Sequence, residues 1–225
     1  MFQFFFSVVI FLLGLIIGSF LNCLIYRLET EESFWKGRSF CPRCRHKLSW
    51  QDLIPVLSFF LLRRKCRYCK ELISWQYPLI EIATGLLFLL IFNFQFSIFN
   101  FIIASLLIVI FVYDLKYYII PDKIVYPAIL VSGIWYTVYG LALYTVYSAL
   151  GAAAFFLSIV LLSRGKWMGF GDVKLAFLMG LFLGWPNVFI ALFLAFFIGA
   201  VLGVILIISG KKQLSSEIPF GPFLV

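Results

Sequence analysis

The sequence predicts an all-α polytopic membrane helical bundle with a small cytoplasmic loop domain. Three observations carry this. Of 225 residues, 64% are hydrophobic and only 12% charged, with a mean hydropathy of +1.06, more apolar surface than a water-soluble domain of this length can bury. Charged residues fall in four windows, Arg27 to Glu81, Asp114 to Lys123, Arg164 to Lys174 and Lys211 to Glu217. Four of the five cysteines lie in the first of these.

Between the windows the chain reads as seven spans: Phe4–Tyr26, Leu79–Phe92, Phe96–Tyr113, Ile124–Tyr139, Leu141–Ser163, Val173–Gly184 and Val188–Ser209. A run of about 20 apolar residues crosses the hydrocarbon core as a helix; the second and sixth runs are short. The first has no preceding basic residues and no small-residue cleavage site, so it is expected to be a permanent span. Threading the spans places every charged window, and all 18 Lys and Arg residues, on one face. The positive-inside rule makes that face cytoplasmic and the N-terminus external. The net charge of +8 therefore reflects topology, and nucleic acid is not an expected partner. Small residues at Gly151-Ala152-Ala153-Ala154 and Gly199-Ala200 are expected to permit close helix contacts.

Residues 27–78 form the soluble loop, between a first span at 1–26 and a bundle over 79–225. Its cysteines pair as Cys41-Pro42-Arg43-Cys44 and Cys66-Arg67-Tyr68-Cys69, 21 residues apart. Thiolates so spaced in a reducing compartment point to a metal rather than to disulfides. Four soft ligands suit tetrahedral Zn²⁺ and leave no open position, so the expected zinc site (Cys41, Cys44, Cys66, Cys69) is structural. Ser-Trp-Gln follows each pair at the same offset, Ser49-Trp50-Gln51 and Ser74-Trp75-Gln76, which suggests two similar half-sites related by a local pseudo-twofold. His46 reads as an exposed side chain, Cys23 as a packing residue, and Arg63-Arg64-Lys65 as a solvated run, with attraction of anionic headgroups the alternative.

Acids near spans need a reason, because a charge at the bilayer centre costs about 2.5–3.5 kcal/mol even on lenient scales. Asp122 follows Pro121 and reads as an N-cap. Asp114 ends an apolar span, where the helix dipole opposes a carboxylate, so capping does not explain it. Asp172 follows Gly169-Phe170-Gly171; Gly169 and Gly171 would let an extended substrate backbone pass beside the acid. Together Asp114 and Asp172 make a dyad able to share one proton, activate water and protonate a leaving amine. The dipole argument assigns Asp114 the acid and Asp172 the initial base. A non-enzymatic zinc-ribbon scaffold and a proton-coupled transporter are competing readings; the transporter lacks polar residues in the outer half of its spans.

The chain resembles the type IV prepilin peptidases, bifunctional leader peptidase/N-methyltransferases. The matching residues are Gly18-Ser19-Phe20-Leu21-Asn22 with Tyr26-Arg27-Leu28, both Cys-x-x-Cys pairs, Ile54-Pro55, Ile73-Ser74 and Tyr77-Pro78 with Glu81. Asp114 with Ile120-Pro121-Asp122, Gly169 to Leu175, and Pro219-Phe220-Gly221-Pro222-Phe223 continue the match to the C-terminus. Presenilin-type proteases share only the Tyr-Asp and Gly-x-Gly-Asp elements. The resemblance implies an aspartyl protease of the inner (cytoplasmic) membrane, with catalytic Asp114 and Asp172. Its partners would be the bilayer and membrane-anchored prepilins or pseudopilins of pili or secretion systems, cut behind a basic leader. It also implies methyl transfer from S-adenosyl-L-methionine to the new N-terminus, for which Glu81 is the candidate to hold an amine of substrate or cofactor. No Gly-rich cofactor loop is visible in the sequence. The resemblance further implies a hydrophobic span after Phe223; the sequence stops at Val225, so Pro219–Phe223 is expected near the dyad but without that anchor.

Overall fold

The computed structural model describes residues 2–33, 37–94, 96–140, 142–210 and 219–225. The charged window Lys211 to Glu217 lies outside the described residues, as do Gln95 and Leu141. Among the described residues the structure is helical, with two isolated β-bridges and no strand. The helices are α1 (Phe2–Glu29), α2 (Leu57–Leu61), α3 (Gln76–Phe94), α4 (Ile98–Tyr117), α5 (Asp122–Val138), α6 (Ala142–Ser163), α7 (Phe170–Leu183), α8 (Asn187–Ile208) and α9 (Gly221–Leu224), with a 3₁₀ turn at Trp50–Leu53.

All seven apolar runs are helices. Five of these, α1, α3, α4, α6 and α8, are long and apolar enough to cross a membrane. The second run gains length because its helix starts at Gln76, whose N–H is received by Ser74 Oγ at 3.2 Å. Helix α5 has 17 residues and α7 has 14. At 1.5 Å per residue α7 extends about 21 Å, less than the roughly 30 Å hydrocarbon core.

The chain divides into two compact units, Met1–Val109 and Ile110–Val225. In the first, α1 packs on α3 through glycine: a Cβ on Gly14 would lie 2.7 Å from Gly85 Cα, and one on Gly18 the same distance from Glu81 Cα. In the second, α6 and α7 meet backbone to backbone, where a Cβ on Gly180 would lie 2.4 Å from Ala149 Cα. The close approach expected at Gly151 is absent, since nothing lies within 4 Å of its missing Cβ. Ala149 and Ala152 face inward instead and are fully buried. Gly199 receives the ring of Phe223 at 3.4 Å rather than another helix backbone. Phe220 packs between Phe196 and Phe156, with centroids 4.8 and 5.8 Å away, which seats α9 against α8 and α6.

Candidate active site and metal centre

Asp114 lies near the C-terminal end of α4 and Asp172 in the first turn of α7, both within the second unit. Asp114 is 4% exposed and Asp172 9%. Asp172 is not the N-cap: Gly169 holds that position and donates its N–H to Asp172 Oδ2 at 3.2 Å. Asp114 Oδ2 is buried without a hydrogen-bond partner among the described residues. Gly221 lies against this oxygen, where a Cβ would come within 2.5 Å of Oδ2 and 3.1 Å of Cγ.

Ile120 ties the pieces together. Its Cβ is 3.1 Å from where a Gly171 Cβ would stand, and its Cδ1 is 3.5 Å from the corresponding point on Gly221. Gly171 thus has a packing reason to lack a side chain. Gly169 has none, its nearest such neighbour being 3.9 Å away. Asp122 is the first helical residue of α5, and Pro121 occupies the cap position. The Asp122 carboxylate accepts a 2.7 Å bond from Lys174 Nζ, joining α5 to α7. Lys174 Nζ also lies over the rings of Tyr126 and Phe170 at 5.2 and 5.6 Å.

In the first unit the two cysteine pairs converge. The sulfurs of Cys41, Cys44, Cys66 and Cys69 all lie within 4.8 Å of one another, with Cys41 and Cys69 at 3.9 Å. Tetrahedral zinc with bonds of about 2.3 Å would hold sulfurs about 3.8 Å apart, so the four thiols fit a metal ion. His46 is exposed and stacks on Tyr68 at 3.7 Å, away from the set. The two knuckles repeat the same bonds. Cys41 N–H donates to His46 O (3.0 Å) and Cys66 N–H to Glu71 O (2.8 Å); Arg45 N–H returns to Cys41 O (2.9 Å) and Lys70 N–H to Cys66 O (3.0 Å). Burial opposes the Cys66 thiolate, but the Cys69 and Tyr68 backbone N–H groups outweigh it and bring this thiol down to about 7. Cys41 is raised instead, chiefly by burial, so the lowering belongs to one thiol of the set.

Asp52, which no motif singles out, clamps the knuckles. It accepts from Ser49 N and Oγ (3.1 and 2.8 Å) after the first, and from Arg67 Nε and Tyr68 OH (2.7 and 3.2 Å) in the second. Partial burial works against its charge. The bonds from Ser49 and Arg67 outweigh that and hold its carboxyl below the ordinary range.

Known proteins give the arrangement its context. Residues 12–95 match the Bacterial Peptidase A24 N-terminal domain, and residues 101–204 match the Type IV leader peptidase family. A prepilin leader peptidase/N-methyltransferase of Myxococcus xanthus (strain DK1622) is 37% identical over 216 residues, 91% of this chain and 64% of the relative. Proteins of the same description from Aeromonas salmonicida (strain A449) and Bacillus subtilis (strain 168) are each 33% identical. The alignments cover 96% and 95% of this chain, and 86% and 88% of the relatives. The chain belongs to the prepilin leader peptidase/N-methyltransferase family. No solved structure matches it significantly. Membership favours the prepilin group over the presenilin-type relation, which rests on two short elements alone.

Within this prepilin peptidase family member, Glu81 is buried at the α1–α3 crossing. Its Oε2 accepts the Val56 N–H at 2.7 Å. Val56 has φ 62° and ψ −52°, and Leu57 N–H reaches Pro55 O at 2.6 Å. This is a strained γ-turn at a β-branched residue, pinned by the carboxylate. Beside it, Asn22 Nδ2 donates to Gly18 O and Tyr77 O at 3.3 and 3.1 Å, while Asn22 Oδ1 is buried without a partner.

Proposed function

We propose that the chain is a prepilin leader peptidase that hydrolyses the peptide bond behind the basic leader of membrane-anchored prepilins or pseudopilins, using Asp114 and Asp172. The observation that carries this is the pair of buried carboxylates, from α4 and α7, whose neighbours Gly221 and Gly171 both pack against Ile120, with Asp114 Oδ2 lacking a hydrogen-bond partner among the described residues. Asp172, supported by the Gly169 N–H, is the initial base and takes a proton from water as its oxygen attacks the scissile carbonyl. Asp114 holds the shared proton, gives it to the carbonyl oxygen, and the proton gained by Asp172 goes to the leaving amine as the C–N bond breaks. Such a dyad titrates as a unit. A substrate anchored by its own helix would reach it by lateral diffusion, so that much of the positioning is already done.

The second activity is methyl transfer from S-adenosyl-L-methionine to the new N-terminal amine, with Glu81 as the candidate amine holder. The Val56 bond on Glu81 supports a positioning role for this carboxylate alongside that one. Zinc, bound by Cys41, Cys44, Cys66 and Cys69, is structural: it would cross-link the knuckles of the loop. The working division is the first span (1–26), the zinc loop (27–78) and the dyad-bearing bundle (79–225). The protein resides in the cytoplasmic (inner) membrane, N-terminus outside and dyad at the cytoplasmic face; the confinement of Lys and Arg to one set of connections supports this.

The test is cleavage of a model prepilin in liposomes with S-adenosyl-L-methionine present, the new N-terminus read by mass spectrometry. Asp114→Asn and Asp172→Asn should each abolish cutting, and the parent product should gain the mass of one methyl group. Cutting at the parent rate by either variant would overturn the dyad and favour the scaffold. Cleavage and methylation both unchanged in Glu81→Gln would end the amine-holding role.

A further inference from the structure

The segment between the two cysteine pairs carries an apolar face that no described residue covers. In α2, Leu57, Phe60 and Leu61 are exposed at 60, 57 and 79%, while Phe59 on the other side is 5% exposed. Positions i, i+3 and i+4 share one helix face. Trp50 and Leu53, on the preceding turn, are exposed as well. Arg63, Arg64 and Lys65 follow directly, and no acid occurs between Asp52 and Glu71. Of the two readings the basic run allows, its surroundings favour the anionic headgroups.

Two contacts fix the depth of α2. Phe59 packs on Trp75 with ring centroids 5.0 Å apart, and Trp75 immediately precedes the apolar helix α3. Val56, at the head of α2, donates its N–H to Glu81, the sixth residue of α3. With a rise of 1.5 Å per residue, Glu81 lies about 7–8 Å along α3 from its start. The γ-turn therefore reaches down beside the first turns of a membrane-crossing helix rather than standing off in water. Arg64 stacks over Trp75 at 5.7 Å and donates Nε–H to Ile73 O at 3.1 Å, which holds it at the same level. Tryptophan beside a span end, an apolar face below it and basic side chains beside it are the chemistry of an anionic lipid interface.

We propose that Leu57–Leu61 is seated in the headgroup–acyl boundary of the leaflet from which α3 starts, with Arg63, Arg64 and Lys65 on anionic phospholipid headgroups. The inference rests on α1 and α3 crossing a membrane, and is independent of which peptide the dyad cuts. Anchoring of this kind would hold the cysteine loop down against the membrane surface, at the level where a membrane-anchored substrate arrives.

The test uses the full chain in nanodiscs of phosphatidylcholine and phosphatidylglycerol, with Leu61→p-benzoylphenylalanine and, as an independent position, Phe60→p-benzoylphenylalanine. Irradiation should give lipid adducts at both positions by mass spectrometry, at least tenfold above those from the same substitution at exposed Lys70. The share of phosphatidylglycerol among adducts should exceed its share of the bilayer and fall to the bulk ratio in Arg63→Gln/Lys65→Gln. Adducts confined to peptides of this chain, a second copy or added prepilin would overturn the proposal in favour of a protein partner. No adducts beyond the Lys70 level at either position would show a solvent-facing segment. A parent adduct ratio equal to bulk would remove the anionic headgroups from it.

Discussion

Replacing Gly221 with alanine tests the geometry around Asp114 most directly. Gly221 does not have a positive φ, so its backbone accepts alanine and the effect must come from the added methyl group. That methyl would stand 2.5 Å from Asp114 Oδ2, about 0.9 Å short of the 3.4 Å at which ordinary contact begins. Asp114 is enclosed, so either its carboxylate or α9 must give way by nearly 1 Å. A misplacement of this size costs on the order of 100-fold in rate, while the overpacking itself costs about 1–3 kcal/mol of stability. Gly171→Ala meets Ile120 Cβ at 3.1 Å, and Gly169→Ala finds nothing nearer than 3.9 Å. Prepilin cleavage, measured as kcat/KM in liposomes, should therefore fall most in Gly221→Ala, less in Gly171→Ala and least in Gly169→Ala. Thermal unfolding of each variant separates lost catalysis from lost fold. If Gly221→Ala cuts within twofold of the parent, the argument that Gly221 leaves room for a reacting carboxylate fails.

The metal site predicts one zinc per chain by elemental analysis, with marked loss in Cys66→Ser and faster proteolysis of residues 37–78 after chelation; zinc-free parent protein would refute it. Gly180→Ala should lower stability by about 1–3 kcal/mol, seen as a lower melting temperature in detergent, because its Cβ meets Ala149 backbone that cannot rotate away. Asp52→Asn should loosen the cysteine loop by about 1–2 kcal/mol, read by amide exchange over Ser49–Leu53. Since folding holds the Asp52 carboxyl low, its stabilisation is complete above the ordinary carboxylate range and is lost as pH falls through the lowered folded value. The difference between parent and Asp52→Asn should accordingly vanish in strong acid; a difference that grows there would contradict the assignment.

What the sequence made legible follows from how each element is specified. Apolar runs become helices in a bilayer because no other local structure satisfies the backbone there, so the seven runs and seven long helices coincide. The knuckles were readable because their bonds are local and repeat with the Ser-Trp-Gln flanks: Asp52 N–H to Ser49 O at 3.1 Å is echoed by Tyr77 N–H to Ser74 O at 3.3 Å. Asp122 departs from the capping expectation because its partner, Lys174, is 52 residues away and so leaves no local pattern. Composition marks the small residues Gly151 to Ala154 without saying which face of the helix each occupies, and it leaves Gly180 unmarked. The clamp at Asp52, the γ-turn at Val56 and the wedge at Ile120 arise only from contacts between distant segments, and no periodicity encodes them.

The two buried acids of greatest interest differ in a way that composition hides. Glu81 and Asp114 both lie in long apolar helices, both are almost fully enclosed, and each would be costly to bury without compensation. Glu81 is compensated: the Val56 N–H meets it, and in return it holds a strained turn in place. Asp114 has no such partner on Oδ2 among the described residues, where Gly221 lies against it. Folded proteins satisfy nearly all buried polar atoms, so an exception calls for a reason that packing does not supply. A substrate carbonyl or an attacking water would supply the missing partner at Asp114. The same reasoning makes Glu81 first of all a residue that positions the cysteine loop.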